Sequence, residues 1–278
     1  MQMNSKVGNL ARLRKHAEQA QIKKKILNLR FRHWPIKFLL GLSALISPLH
    51  AEWDPEKVLT DFDTAALDLL IDVDFLSLKG HVIDKLRDSW CSREKVNLLM
   101  DLVYLTRPKV CVEIGAFTGS SVLPVAATLG LLQFGAIYAV DAWSNQTAVR
   151  YLADNDPNKF WWSNVNMKDV RRMFDQMIYS WHLNAFCAAI QEPSEKAVTH
   201  LPEIDFLHLD GDYSEIGSCL DVELYLPKVK SGGYILLSNV FVMVHDMQPK
   251  SKAFCELFNA CDVVCEIDMN NTFLFRKL

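Results

Sequence analysis

Five short apolar segments recur between residues 110 and 237, and stretches with helical character separate them. The apolar segments cover residues 110–114, 136–140, 185–190, 204–209 and 234–237. The helical candidates between them cover residues 121–132, 168–181, 194–200 and 215–227. Such alternation is typical of right-handed βαβ units around a parallel sheet. The pattern therefore predicts an α/β fold with a doubly wound sheet.

The C-terminal segment departs from this alternation. Residues 262–267 and 272–276 form two apolar runs, and an Asn-rich turn, Met269-Asn270-Asn271, joins them. Turn residues between two such runs are typical of a hairpin. We therefore expect a mostly parallel sheet with an antiparallel C-terminal edge hairpin.

Residues 54–106 have apolar side chains at helical spacing and predict a helical cap before the sheet. Arg107-Pro108 ends the last of these helices, because proline disfavours the helical conformation in the preceding residue. The predicted organisation is a basic arm over residues 1–51, a helical cap over 52–107 and a sheet domain over 108–278.

The arm carries a strong local charge. Residues 1–37 contain ten Lys or Arg and one acid, and twelve uncharged residues follow at 38–49. That run is too short to span a membrane as a helix, but its position matches a secretory leader with cleavage near Ala51. Such a leader would export the protein or attach it to a membrane. A basic helix on a lipid surface or a solvated arm in a cytoplasmic protein are the alternatives, and no specific nucleic-acid binding is expected.

A glycine-containing loop follows the first predicted strand, with the sequence Glu113-Ile-Gly115-Ala-Phe-Thr-Gly119-Ser-Ser121. Two glycines let the backbone approach a ligand closely, and the helix that follows offers a positive N-terminus. A dinucleotide fingerprint requires glycine where Glu113 stands. An acid there suits a ligand that bears an ammonium or sulfonium group.

Acidic residues follow two other predicted strands. Asp141 ends the second strand, where a carboxylate can accept the hydroxyls of a ribose. Asp210-Gly211-Asp212-Tyr213 follows the fourth strand, and its two carboxylates suit a hard cation or the positioning of a base. A surface Asx turn without a functional role is the alternative.

In this order the motifs resemble those of the class I S-adenosylmethionine-dependent methyltransferases, which have a Rossmann-like fold. The resemblance covers about residues 80–278 and is closest to the small-molecule O-methyltransferases. It includes the segment from Leu226 to Leu237, which contains Gly232-Gly233-Tyr234. It implies that S-adenosylmethionine is the cofactor and that Asp210 faces the methyl-transfer centre. The implied cofactor contacts are Glu113, Gly115, Ala116, Phe117, Thr118, Gly119, Ser120, Asp141, Ala142, Trp143, Gln191 and Asp210. Glu192 follows Gln191 in the segment expected near adenine.

The metal-dependent members of this family bind a divalent ion with acids at two strand ends. The corresponding site here would consist of Asp210, Asp212 and Asn239, with possible use of Mg²⁺, but Ser238-Asn239 replaces the acid after the fifth strand. Tyr213 stands where a histidine is common, and a phenol with an ordinary pKa of about 10 is a poor base at neutral pH. Asp210, Asp212 and Tyr213 are the candidate catalytic residues.

Two functional hypotheses follow. The first is an O-methyltransferase that acts on a small hydroxylated acceptor, with the aromatic and methionine side chains of residues 144–181 as a lid over the acceptor. The second is a catalytically weakened methyltransferase fold that serves as an exported or membrane-associated binding protein.

Overall fold

The computed structural model describes residues 72–243, 248–268 and 271–278. These residues contain a seven-stranded sheet with the order β3-β2-β1-β4-β5-β7-β6. The first five strands in this order are parallel, and β7 pairs antiparallel with both β5 and β6. The strands are β1 (Val110–Ile114), β2 (Ala136–Val140), β3 (Cys187–Ile190), β4 (Ile204–Leu209), β5 (Val229–Leu237), β6 (Cys261–Ile267) and β7 (Thr272–Lys277). The predicted fold class is confirmed.

The helices between the strands follow the predicted alternation. They are α1 (Val73–Lys85), α2 (Arg93–Thr106), α3 (Val122–Leu132), α4 (Asn145–Val149), α5 (Pro157–Asn164), α6 (Met167–Ser180), α7 (Ser194–Ala197), α8 (Glu215–Tyr225) and α9 (Ser251–Ala260). Short 3₁₀ helices, Val198–His200 and Leu226–Lys228, extend α7 and α8. No helix among the described residues is long and apolar enough to cross a membrane.

Three differences from the sequence prediction have local causes. β5 begins five residues before the predicted 234, because Lys230 to Gly233 join the strand without an apolar pattern. α5 was not predicted, although Asp156 caps its start by accepting the N–H of Asn158 and Pro157 takes its first position. α9 was also not predicted; it buries Phe254 against Phe273 of β7, with ring centroids 4.8 Å apart.

The described part of the helical cap is the pair α1 and α2. Lys79 of α1 and Asp101 of α2 are both buried and form an ion pair with 2.6 Å between Nζ and Oδ1. α2 ends at Arg107, which takes a left-handed conformation before Pro108, as predicted. The predictions for the arm and for residues 52–71 lie outside the described residues.

The carboxyl ends of β1 and β4 approach each other closely. Gly115 has a φ of +88°, and a Cβ atom placed there would lie 2.6 Å from the Cα of Gly211. A side chain at residue 115 would therefore separate the two loops that follow these strands.

We expect Gly115→Ala to lower the free energy of unfolding by about 2–4 kcal/mol, through backbone strain and overlap with Gly211. Chemical denaturation of the full chain measures this change. Gly80→Ala in α1 is the matched control, because a Cβ there meets nothing within 4 Å, and it should stabilise the helix by roughly 0.5–1 kcal/mol. Equal effects of the two substitutions would contradict the close-approach argument.

Candidate active site

A cavity of about 430 Å³ lies at the carboxyl ends of the parallel strands. Its walls come from the loops after β1, β2, β3 and β4, from Asn239 after β5, and from Trp90, Cys91 and Lys95 near the start of α2. Ligands bind at this edge in open parallel sheets, and the volume is within the range of small-molecule sites.

The loop between β1 and α3 forms one wall of the cavity. The predicted residues Gly115, Ala116, Phe117, Thr118 and Ser120 all line it. Gly119 does not line the cavity: its φ is +87°, and a Cβ there would collide with Met177 and Phe174 of α6. Gly119 thus permits the loop to pack against α6. Its contact with a ligand stays a prediction.

Asp141 lines the cavity at the end of β2 and connects two loops. Its Oδ2 accepts the backbone N–H of Phe117 at 2.9 Å, and its Oδ1 accepts that of Trp143 at 2.6 Å. Burial raises the pKa of Asp141, and these two N–H donors oppose that shift. Each oxygen keeps acceptor capacity for a ligand hydroxyl.

Trp143 supports the loop from behind, whereas its neighbour Ala142 lines the cavity. The indole N–H of Trp143 donates to the carbonyl of Phe117 at 2.9 Å, and the guanidinium of Arg171 lies 4.5 Å from the centre of its ring. The ring is buried and contributes no cavity wall. The predicted cofactor contact is therefore replaced by support of Phe117.

Glu113 lies beneath the loop and is fully buried. It accepts a hydrogen bond from Ser121 Oγ at 2.5 Å, and its Oε2 is 3.1 Å from His208 Nδ1 on the neighbouring strand. His208 Nε2 in turn lies 2.9 Å from Ser238 Oγ, and His208 is fully buried in the core. Glu113 does not line the cavity, because its carboxylate lies between Ser121 and His208. Its contact with a ligand stays a prediction.

Of the residues directly after β3, some line the cavity and one lies outside it. Gln191 is exposed and accepts a hydrogen bond from Arg171 at 3.2 Å, outside the cavity. Glu192, Pro193 and Ser194 line the cavity instead. The cavity wall after β3 thus begins one residue later than Gln191. The contact of Gln191 with a ligand stays a prediction.

Asp210 lies at the end of β4 between two ammonium groups. Lys95 Nζ is 3.6 Å from its Oδ2 and Lys250 Nζ is 3.9 Å from its Oδ1. Asn239 also donates its amide N–H to Oδ1 at 2.5 Å. Burial alone would raise the pKa of Asp210, but Lys95, Lys250, His208 and Asn239 together lower it below its ordinary value. Asp210 is thus a stable carboxylate.

Asp212 and Tyr213 line the cavity beside Asp210. Asp212 Oδ1 accepts the N–H of Ser214 at 2.7 Å, which is the Asx turn that the sequence left open. Asn239 donates a second hydrogen bond to Tyr213 Oη at 2.7 Å. Burial and the nearby Asp210 raise the pKa of Tyr213, so its phenol stays neutral and cannot serve as a base near pH 7.

These residues do not fit the predicted magnesium site. Asn239 presents its amide N–H to Asp210, Asp212 is held in a turn, and two ammonium groups already compensate Asp210. In the part of the chain that the structure describes, no group of three or more His, Cys, Asp or Glu side chains could hold a metal ion. A Mg²⁺ ion would have to approach two like charges here.

Four aromatic side chains form the mouth of the cavity: Trp90, Phe117, Trp161 and Trp162. Trp90 stacks on Phe117 with ring centroids 5.0 Å apart and an interplanar angle of 5°, and Trp161 contacts Trp162 at 4.6 Å. Phe117, Trp90 and Trp162 line the cavity, as does Met167, whereas Phe160 and Met173 are exposed. The segment predicted as a lid thus places only some of its apolar side chains at the cavity.

Sequence reasoning missed several polar residues of the site, above all Lys95, Lys250 and Asp221. Lys95 lies among apolar residues of α2, and its pattern resembles that of an ordinary amphipathic helix. Asp221 lies on α8, lines the cavity and accepts a hydrogen bond from Ser194 Oγ at 2.6 Å. No local signal distinguishes either residue from a surface charge.

Residues 112–240 match the family model of a methyltransferase domain. This segment runs from β1 to the first residues after β5 and contains most of the cavity. A search of the curated proteins finds no match.

Solved structures share the fold at low sequence identity. The O-methyltransferase NovP is 16% identical with a TM-score of 0.53, over 76% of this chain and 98% of that one. Cofactor-bound Rv0187 from MTB is 12% identical with a TM-score of 0.51, over 81% and 98%. TomG from Streptomyces achromogenes, an O-methyltransferase in complex with SAM, is 13% identical with a TM-score of 0.50, over 76% and 93%. The described fold is therefore the Rossmann-like fold of methyltransferases.

We expect Asp221→Asn to change the pH dependence of stability. Burial raises the pKa of Asp221 to about 7 from an ordinary 3.8. A raised pKa stabilises the folded state below the ordinary value, and this contribution is lost as the pH rises through about 7. Between pH 4 and pH 8 the free energy of unfolding of the variant should therefore gain roughly 2–4 kcal/mol relative to the wild type.

Chemical denaturation across this pH range measures the difference. Asp262→Asn, at an exposed position on β6, is the control and should show a much smaller change. If the free energies of unfolding of Asp221→Asn and the wild type differ by the same amount at every pH, the raised pKa of Asp221 is contradicted.

Proposed function

We propose that this protein is an S-adenosylmethionine-dependent O-methyltransferase that acts on a small hydroxylated acceptor. The observation that carries the proposal is one continuous cavity bounded by the Gly115 loop, Asp141 and Asp210. The match of residues 112–240 to a methyltransferase domain supports it. So does the shared fold with O-methyltransferases, of which TomG binds SAM.

The residues present fit the cofactor. The loop from Gly115 to Thr118 and Asp141 would hold its amino acid and ribose portions, and Glu192 and Pro193 would border its base. When bound, S-adenosylmethionine supplies a methyl group on a sulfonium. Because the two N–H bonds to Asp141 already set its orientation, little reorganisation is needed to accept a ribose hydroxyl.

The acceptor end would be formed by Asp210, Tyr213 and Asn239, with the aromatic mouth around the body of the acceptor. Methyl transfer requires the nucleophile in line with the breaking bond, so the main contribution of these residues is orientation. In this proposal, residues 108–278 form the domain that carries out methyl transfer. The helical cap supplies Trp90 and Lys95.

We expect the full chain to bind S-adenosylhomocysteine, and Asp141→Ala to weaken this binding about ten- to a hundredfold through loss of a hydrogen bond to a charged group. Isothermal titration calorimetry measures both affinities. Asp141→Asn, which keeps the shape of the side chain, separates loss of charge from collapse of the loop.

Asp262→Ala, at an exposed position on β6, is the control and should retain the wild-type affinity. If the folded wild-type protein binds neither S-adenosylmethionine nor S-adenosylhomocysteine, the proposed function is wrong.

A further inference from the structure

The cavity contains a buried cation at the place where the acceptor oxygen would react. Lys95 is 4% exposed, belongs to α2 of the helical cap, and lines the cavity next to Asp210. Burial opposes its charge, but Asp210, followed by Cys91, Asp268 and Glu113, more than offsets that effect and raises the pKa of Lys95. Lys95 is therefore an ammonium group at neutral pH.

The ion pair with Asp210 does not occupy all the hydrogen-bond donors of the Lys95 ammonium group. The distance of 3.6 Å from Lys95 Nζ to Asp210 Oδ2 exceeds that of an N–H···O hydrogen bond. An ammonium group has three N–H donors. Lys95 can therefore donate to a further oxygen in the cavity while Asp210 balances part of its charge.

Neither Asp210 nor Tyr213, the two titratable groups of the acceptor end, is a ready base for an acceptor hydroxyl. The pKa of Asp210 is lowered and that of Tyr213 is raised, so neither takes up a proton readily near pH 7. Asp221, whose pKa is raised to about 7, lines the cavity from α8 and is hydrogen-bonded to Ser194, in the wall proposed to border the base of the cofactor. Among the described residues that line the cavity there is no histidine. Lys250 has a lowered pKa because of its burial, but it lies behind Tyr213 and contributes no cavity wall.

We propose that Lys95 binds the acceptor oxygen as an anion beside Asp210, so that a fixed ammonium takes the place of a divalent cation. The acceptor is then a hydroxyl compound acidic enough to bind in its ionised form, such as a phenol. This inference rests on the proposed function and assigns its substrate class and its independence of metal.

The reaction balances without a further reagent. The acceptor releases its proton to solvent when it binds, and the oxyanion attacks the sulfonium methyl. The O–C bond forms as the C–S bond breaks, and the C–S electron pair stays on sulfur. The products are a neutral methyl ether and a neutral thioether, so the anionic partner of Lys95 is lost at product formation.

The test uses para-nitrophenol, whose phenolate absorbs visible light whereas the phenol does not. In EDTA, at a pH just below the pKa of the free probe, the wild-type complex with S-adenosylhomocysteine should increase the phenolate absorbance. Lys95→Met should weaken phenolate binding about ten- to a hundredfold. Lys95→Arg should restore part of it, and Lys85→Met, at an exposed position on α1, should have no effect.

The affinity for S-adenosylhomocysteine, measured on every variant, separates the two proposals and shows that Lys95→Met is folded. Failure of the wild type to bind it contradicts the proposed function. Normal cofactor binding with no phenolate signal, or with a signal that survives Lys95→Met, overturns the role of Lys95. Binding of Mn²⁺ that is lost in Asp210→Asn, measured by electron paramagnetic resonance, also overturns it.

Discussion

The carboxylate of Asp210 is the group on which the arrangement of the site depends. It is buried at the end of β4, and a buried charge is tolerated only with partners. Those partners come from three other parts of the chain: Lys95 from α2, Asn239 from the end of β5, and Lys250 from the turn before α9. The polar and ionic contacts of Asp210 thus hold α2, the end of β5 and the turn before α9 around a common cavity.

A second carboxylate organises the opposite end of the cavity by a different means. Asp141 is held by the backbone N–H groups of Phe117 and Trp143, and no cation of the described residues forms an ion pair with it. Trp143 returns a hydrogen bond to the carbonyl of Phe117, which has a φ of +46°. Hydrogen bonds to both the N–H and the carbonyl of Phe117 stabilise this strained conformation. In it, the ring of Phe117 stacks on Trp90 at the aromatic mouth.

Two residues of the first motif, Glu113 and Gly115, show how far a sequence pattern can be interpreted. Glu113 and Gly115 are two residues apart, so both were expected at the ligand. Gly115 lines the cavity, whereas Glu113 is enclosed between Ser121 and His208. The position of a motif residue along a strand end was predictable. The residue that lies beside its side chain depends on strand pairing, here that of Glu113 with His208 between β1 and β4.

The positions of the strands along the chain, the mostly parallel sheet and the edge hairpin followed from the sequence alone, because hydrophobic periodicity and turn residues are local properties of the chain. The roles of Glu113, Gly119, Trp143 and Gln191 did not, since each depends on a contact with a distant segment. Lys95 is the clearest case: it is separated from Asp210 by more than a hundred residues, and only the packing of α2 in the folded protein brings its charge to the site. Burial and long-range pairing, which decide the charge and direction of these side chains, exist only in the tertiary structure.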